Sequence, residues 1–158
     1  AHGYDGEVVY ALVRLTTPKI QLENAIRTTN FLHQSYNSRT SISKQLSDLA
    51  KSDQRVAIWG GTGKAAAFIH QYNVDSQRFP LVVDSDPDKV GTFVPETGQE
   101  IIFRDILKSS PVDIVIIPTQ WRAKDILAEM NREGIVAKQI LIEHKGQLIN
   151  FLTDKHPY

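Results

Sequence analysis

A glycine-rich turn followed by a lysine is the part of this sequence best suited to chemistry. The stretch VAIWGGTGKAAA begins with an apolar run at Val56, turns at its glycines and continues into alanine-rich helical sequence. In such a turn, free backbone N–H groups and the positive end of the helix point at whatever lies above them. We therefore predict an anion-binding turn formed by Gly61, Thr62, Gly63 and Lys64.

The kind of anion depends on the motif that the glycines form. Gly61, Gly63 and Ala66 fit the Gly-x-Gly-x-x-Ala pattern of dinucleotide-binding turns, in which a small third residue lets the helix pack closely on the strand. The P-loop pattern fails, because Ile58 stands where its first glycine is needed and Ala65 follows the lysine. The turn favours a nucleotide or another phosphorylated ligand and does not fit the P-loop of an ATPase.

An acidic residue at the end of the next strand would complete a ribose-binding site. Asp84 follows Gly61 at close to the spacing of about 20 residues that dinucleotide sites show. Asp84 is equally suited to cap the turn over residues 85–87, as short polar side chains often do. Both interpretations stay open.

Two cations are predicted to face one crevice. Lys64 and Arg122 each lie in the first turn of a predicted helix, where a positive charge opposes the helix dipole. A diphosphate bound between them would stabilise both charges. The alternative is that both are solvated surface residues.

Other side chains near the crevice complete the predicted substrate-binding set. Pro118 and Gln120 lie in the loop before Arg122, and His144 adds a polar group at the end of the last strand. His144 is equally compatible with an ordinary surface position. If the crevice holds no ligand, Trp59 or Trp121 is a candidate to fill it.

The composition excludes several other kinds of chemistry. The chain has 158 residues with 18 basic and 18 acidic side chains, so no net charge draws it to nucleic acid or to a membrane surface. It has no cysteine, no histidine spacing typical of a metal site and no Gly-x-Ser-x-Gly motif of a serine hydrolase. No apolar run approaches the about 20 residues that span a bilayer. We expect a cytoplasmic protein with no metal site and no catalytic residue in this chain.

The elements that position these residues alternate between strands and helices from residue 55 onward. This alternation predicts an α/β fold with a Rossmann-like parallel sheet of about five strands in the order 3-2-1-4-5 and helices on both faces. The predicted strands cover residues 56–59, 81–84, 101–103, 114–117 and 139–143, and the helices residues 65–72, a short segment ending at 109, and 123–133.

The residues before this alternation predict a different organisation. Glu7–Leu15 is typical of a strand, and two helices are predicted to follow over 18–36 and 41–52, with a break at 37–40. We therefore predict a leading strand and helical connector over 1–54, a Rossmann-like domain over 55–152 and a tail over 153–158.

Taken in order, these motifs resemble the C-terminal domain of S-adenosylmethionine-dependent sugar C-methyltransferases, enzymes of deoxysugar biosynthesis. The resemblance extends over nearly the whole chain. Thr119-Gln120-Trp121 departs from it, because that family has Trp-Asn after the proline. The matching motifs are His2-Gly3 with Val9-Tyr10, Gly60–Lys64, Val82–Gly91, Pro95 and Ile114–Pro118.

The resemblance implies an enzyme of three parts: a small zinc-binding domain, a central methyl-donor domain that carries S-adenosylmethionine and the catalytic acid–base residues, and a Rossmann-like domain that helps to enclose a nucleotide-linked sugar. It implies that this chain is the last part, preceded by the methyl-donor domain, and does not transfer methyl groups alone. Residues 1–54 would then begin with the last strand of the methyl-donor domain. An NAD(P)-binding domain of an oxidoreductase and a packing module without a ligand remain the alternatives.

Overall fold

The structure is a computed structural model that describes residues 2–3, 8–9, 11, 13 and 22–158. Two units make up the chain, Ala1–Leu32 and His33–Tyr158. In the first unit, strand β1 (His2–Gly3) pairs antiparallel with strand β2 (Val8–Val9). The strand predicted over Glu7–Leu15 is thus present at Val8–Val9 and absent at Ala11 and Val13, and its other residues lie outside the described part.

Helix α1 is one continuous helix, Leu22–Ala50, where the sequence predicts two. The expected break at residues 37–40 is wrong because polar side chains there bond back to the helix. The hydroxyls of Ser38 and Thr40 donate to the carbonyl oxygens four residues earlier, at 2.8 and 3.0 Å. These bonds satisfy groups that would otherwise favour a turn. The helix start predicted at Pro18 lies outside the described residues.

The second unit is built on a six-stranded sheet. Its strands are β3 (Val56–Trp59), β4 (Leu81–Asp84), β5 (Ile101–Phe103), β6 (Ile114–Ile117), β7 (Gln139–His144) and β8 (Gln147–Asn150). The spatial order is β5-β4-β3-β6-β7-β8, in which β8 alone runs antiparallel to its neighbour. Numbered within the sheet, the order is 3-2-1-4-5-6, which confirms the predicted α/β fold and strand order and adds one strand.

Helices pack on both faces of this sheet: α2 (Lys64–Gln71), α3 (Ile106–Ser109) and α4 (Ala123–Glu133), with short 3-10 helices at Pro87–Lys89 and Gln120–Arg122. Side chains alternate along a strand, so each strand contributes to two cores. Ile58 of β3 lies in one core with Ile42 and Leu46 of α1 and with residues of α2. Its neighbours Ala57 and Trp59 lie in the other core with residues of α3 and α4.

The additional strand β8 follows β7 through a two-residue turn. Lys145 and Gly146 have φ angles of 48° and 76°, the left-handed conformation that a type I′ hairpin turn requires. A Cβ atom on Gly146 would collide with Ser38 of α1, so glycine is needed there for packing as well. Among the described residues, no helix is both long and apolar enough to cross a membrane.

Candidate functional site

The candidate site lies at the carboxyl ends of β3 and β6, where the strand order of the sheet changes direction. Open α/β sheets bind ligands outside the carboxyl ends of their strands at this switch point. β3 leads into the turn Gly60–Lys64 and α2, while β6 leads through Pro118 into the 3-10 helix Gln120–Arg122. The two loops meet where Lys64 contacts Gln120.

The turn after β3 leaves most of its backbone N–H groups free. The N–H of Gly60 continues the strand ladder by donating to the carbonyl oxygen of Val83 at 2.6 Å. Helix α2 has no side-chain cap and no acidic residue in its first turn. Free donors and the positive end of a helix dipole therefore face the crevice. Within residues 22–158, no protein acceptor is present for the N–H groups of Gly61, Thr62, Gly63 and Lys64.

Two glycines of this turn serve different purposes. Gly61 is buried, and a Cβ atom there would collide with the side chain of Ile101 on β5, so the packing of the sheet requires glycine. Gly63 has a φ angle of 55°, and nothing lies within 4 Å of the position that its Cβ would take. The space above Gly63 is open to a ligand.

Lys64 is half-buried, and the groups that it contacts are neutral. Its Nζ donates to Oε1 of Gln120 at 2.5 Å and lies 4.7 Å from the centre of a Trp121 ring. Burial lowers the pKa of Lys64, and the negative charge of Glu143 partly opposes that shift. No salt bridge to Lys64 is formed within the part of the chain that the structure describes. An ammonium group in this setting gains from an anion in the crevice.

Tyr158, in the last segment of the second unit, also contacts residues of the site. Nε2 of Gln120 donates to the hydroxyl of Tyr158 at 3.4 Å, while its Oε1 holds Lys64. The ring of Tyr158 also meets His144 edge-on, with 5.8 Å between ring centres. Tyr158 therefore connects Gln120 with His144. The sequence did not reveal this role, because Tyr158 belongs to no motif and is distant from both partners along the chain.

Asp84 is buried at the end of β4 and caps the turn that follows it. Its Oδ1 accepts a hydrogen bond from the backbone N–H of Asp86 at 3.0 Å, and its Oδ2 lies 3.5 Å from Nζ of Lys89. The turn-capping interpretation of Asp84 thus describes contacts that are present. A carboxylate has about four lone-pair sites, so these contacts leave acceptor capacity for ribose hydroxyls.

The remaining predicted residues also lie in the two loops. Arg122 is exposed, and its Nε lies 3.6 Å from Oδ2 of Asp125 on α4. Pro118 is buried directly after β6, and Thr62 is exposed in the turn. In the described part of the chain, no group of three or more histidine, aspartate or glutamate side chains is arranged to hold a metal ion.

Of three comparisons with known proteins, the one with family models identifies the family of this chain. None of the curated proteins matches the chain in sequence. Two solved structures similar to it are a crystal structure of RSP, a Rex-family repressor (18% identity, TM-score 0.39, covering 60% of this chain and 48% of that one), and RSP in complex with beta-NADH (18%, 0.36, 56% and 45%). The chain spans about half the length of these two structures. The family model of the C-methyltransferase C-terminal domain matches residues 12–153, and this chain therefore belongs to that family.

Proposed function

We propose that this chain is the domain of an S-adenosylmethionine-dependent C-methyltransferase that binds a nucleotide-linked sugar, with the diphosphate against the turn Gly61–Lys64. The observation that carries the proposal is the half-buried ammonium of Lys64, which has only neutral contacts and lies beside free backbone donors. Phosphate oxygens are charged acceptors that suit both kinds of donor. In this proposal, residues 55–152 bind the substrate, and residues 1–54 connect them to the methyl-donor domain.

Each predicted residue then has a role set by its chemistry. The free N–H groups of the turn, Lys64 and Arg122 bind the diphosphate. Asp84 accepts hydrogen bonds from the ribose hydroxyls, and Pro118 shapes the loop after β6. Gln120, which contacts Lys64, and His144, which contacts Tyr158, would bind hydroxyl groups of the sugar. Gln120 can serve both phosphate and sugar, because its amide offers a donor and an acceptor.

The chemical step belongs elsewhere in this proposal. S-adenosylmethionine, carried by the methyl-donor domain, supplies the methyl group and leaves this chain with binding and orientation. Binding the diphosphate both at the turn with Lys64 and at Arg122 restricts the sugar to a small range of positions. Such restriction lowers the barrier of a two-substrate reaction, because the translational and rotational entropy of the reactants is already lost on binding, before the chemical step.

Calorimetric titration of the chain with three ligands tests the proposal. We expect a nucleoside diphosphate sugar to bind and the corresponding nucleoside to bind much more weakly. NAD should bind no more tightly than the sugar nucleotide. Lys64→Met should weaken the first interaction, whereas Lys124→Met, which alters an exposed lysine of α4, should leave it unchanged. Selective binding of NAD would support the oxidoreductase alternative, and no binding of any ligand would support a packing module.

A further inference from the structure

The segment Phe151–Tyr158, which we call the strap, runs from the end of β8 back to the crevice. At its start, the N–H of Phe151 donates to the carbonyl oxygen of Ile140 on β7 at 2.7 Å. At its other end, the hydroxyl of Tyr158 accepts a hydrogen bond from Gln120. The strap therefore reaches the same amide group that holds Lys64.

His156 holds the strap in a form that fits one protonation state. Its Nε2 lies 2.8 Å from the carbonyl oxygen of Phe151, and this oxygen can only accept, so Nε2 carries a hydrogen. The backbone N–H of Tyr158 donates to Nδ1 at 3.2 Å, so Nδ1 presents its lone pair. Both bonds exist together only in the neutral ring with hydrogen on Nε2. Protonation would set a second donor against the N–H of Tyr158 and break that bond.

Around His156 lie two aromatic rings, a carboxylate that has other partners and a cleft lined by two lysines. Phe151 stacks on it with 4.5 Å between ring centres, and Tyr158 with 6.0 Å. Asp154, the nearest acidic residue along the strap, accepts hydrogen bonds from the backbone N–H of Asn150 and from Thr153. The adjacent cleft of about 640 Å³ holds two lysines and no carboxylate among its described lining residues, which are His144, Lys145, Lys155, His156 and Pro157.

We propose that the strap is a pH-responsive gate at Gln120, which neutral His156 holds closed by keeping Tyr158 against Gln120 and His144. Protonation of His156 removes the bond that fixes the backbone of Tyr158, so Tyr158 leaves Gln120. Gln120 is then free to turn towards a ligand beside Lys64. This gate goes beyond the proposed function, because it acts on the crevice whatever anion binds there.

Hydrogen exchange of the strap amides tests the gate without any ligand. Protection is measured at pH about 7.5 and about 5.0, on either side of the range where imidazoles titrate, and corrected for the chemical exchange rate. We expect the wild-type strap to lose protection at the lower pH by about three- to tenfold, the effect of one lost hydrogen bond. Equal protection at the two pH values would overturn the proposal.

Two substitutions and one spectroscopic reading separate the gate from a general effect of acid. His156→Gln has a permanent donor and a permanent acceptor, so its strap should keep its protection at both pH values. His33→Gln, which alters an exposed histidine of α1, should behave like the wild type. The ¹⁵N spectrum of the wild-type His156 ring at neutral pH should show hydrogen on Nε2. This reading does not depend on whether the glutamine of His156→Gln can form the same two hydrogen bonds. Hydrogen on Nδ1 would refute the gate. Failure of sugar-nucleotide binding would leave these readings unchanged.

Discussion

Lys64 occupies a position where the fold disfavours a cation, since it is half-buried and opens helix α2. Burial lowers its pKa, so the folded chain binds this proton less tightly than the unfolded chain does. The resulting penalty is fully present below the folded pKa and disappears as pH rises towards the unfolded value. We therefore expect the stability of Lys64→Met relative to wild type to decrease between neutral and alkaline pH. Urea unfolding at several pH values measures this difference in stability, and Lys124→Met should show no such trend.

Substitution of Arg122 provides a second test of diphosphate binding. If it shares the ligand with Lys64, Arg122→Ala should weaken sugar-nucleotide binding by roughly 1.5 to 3 kcal/mol, the range for hydrogen bonds to charged groups. The stability of the empty chain should change little, because the pair with Asp125 is exposed on both sides. Calorimetry and thermal unfolding of the same variant report the two effects. Unchanged affinity would remove Arg122 from the site.

Substitution of Gly63 tests whether this glycine is needed for ligand access or for its backbone conformation. Its φ angle of 55° disfavours any other residue, and the space at its missing Cβ is open. Gly63→Ala should therefore cost about 1 to 3 kcal/mol of backbone strain and also block the approach of phosphate. Gly98→Ala is the matched control, since Gly98 has a φ angle of 68° and equally open space. Loss of sugar-nucleotide affinity in Gly98→Ala to the same degree would mean that strain alone is responsible.

At the scale of elements, the outer edge of the sheet depends on one side chain of α1. Oε1 of Gln45 accepts from the N–H of Leu148 and its Nε2 donates to the carbonyl oxygen of the same residue, each at 2.8 Å. Gln45→Met would leave both groups of β8 without a partner and cost about 1 to 3 kcal/mol. An uncovered edge strand also favours pairing between chains. Chemical unfolding and light scattering measure the two effects, and Gln34→Met, an exposed change on the same helix, should show neither.

The short, strongly apolar strands could be predicted from the sequence, whereas the continuity of α1 and the presence of β8 were missed. The runs at β3, β4, β5 and β6 are short, apolar and bounded by turn residues, so their bounds agree with the prediction. Helix α1 was split in the prediction because side-chain bonds within a helix leave no trace in a hydrophobic pattern. Strand β8 had a local signal, Lys145-Gly146 between two apolar runs, which points to a hairpin.

The whole molecule shows why the site was only partly predictable. Motifs place the turn Gly60–Lys64 and the loop after β6 at one edge of the sheet, because the topology of an α/β fold does so whatever the loop sequences are. The contact of Lys64 with Gln120 follows from that topology. The return of Tyr158 to the same edge depends instead on His156 and Phe151, which form no recognisable spacing.

The proposed division of labour within a methyltransferase gives a prediction for the chain as a whole: it should not bind S-adenosylmethionine on its own. Within the described residues, the sheet has one switch point, and its crevice presents the ammonium of Lys64. The sulfonium of S-adenosylmethionine is itself a cation, and like charges a few ångströms apart repel each other in a partly buried site. Equilibrium dialysis should therefore show no S-adenosylmethionine binding at micromolar concentration, while the same preparation binds a nucleoside diphosphate sugar. Micromolar binding of S-adenosylmethionine by the wild type would contradict the proposed division, and its appearance only in Lys64→Met would identify the charge of Lys64 as what excludes it.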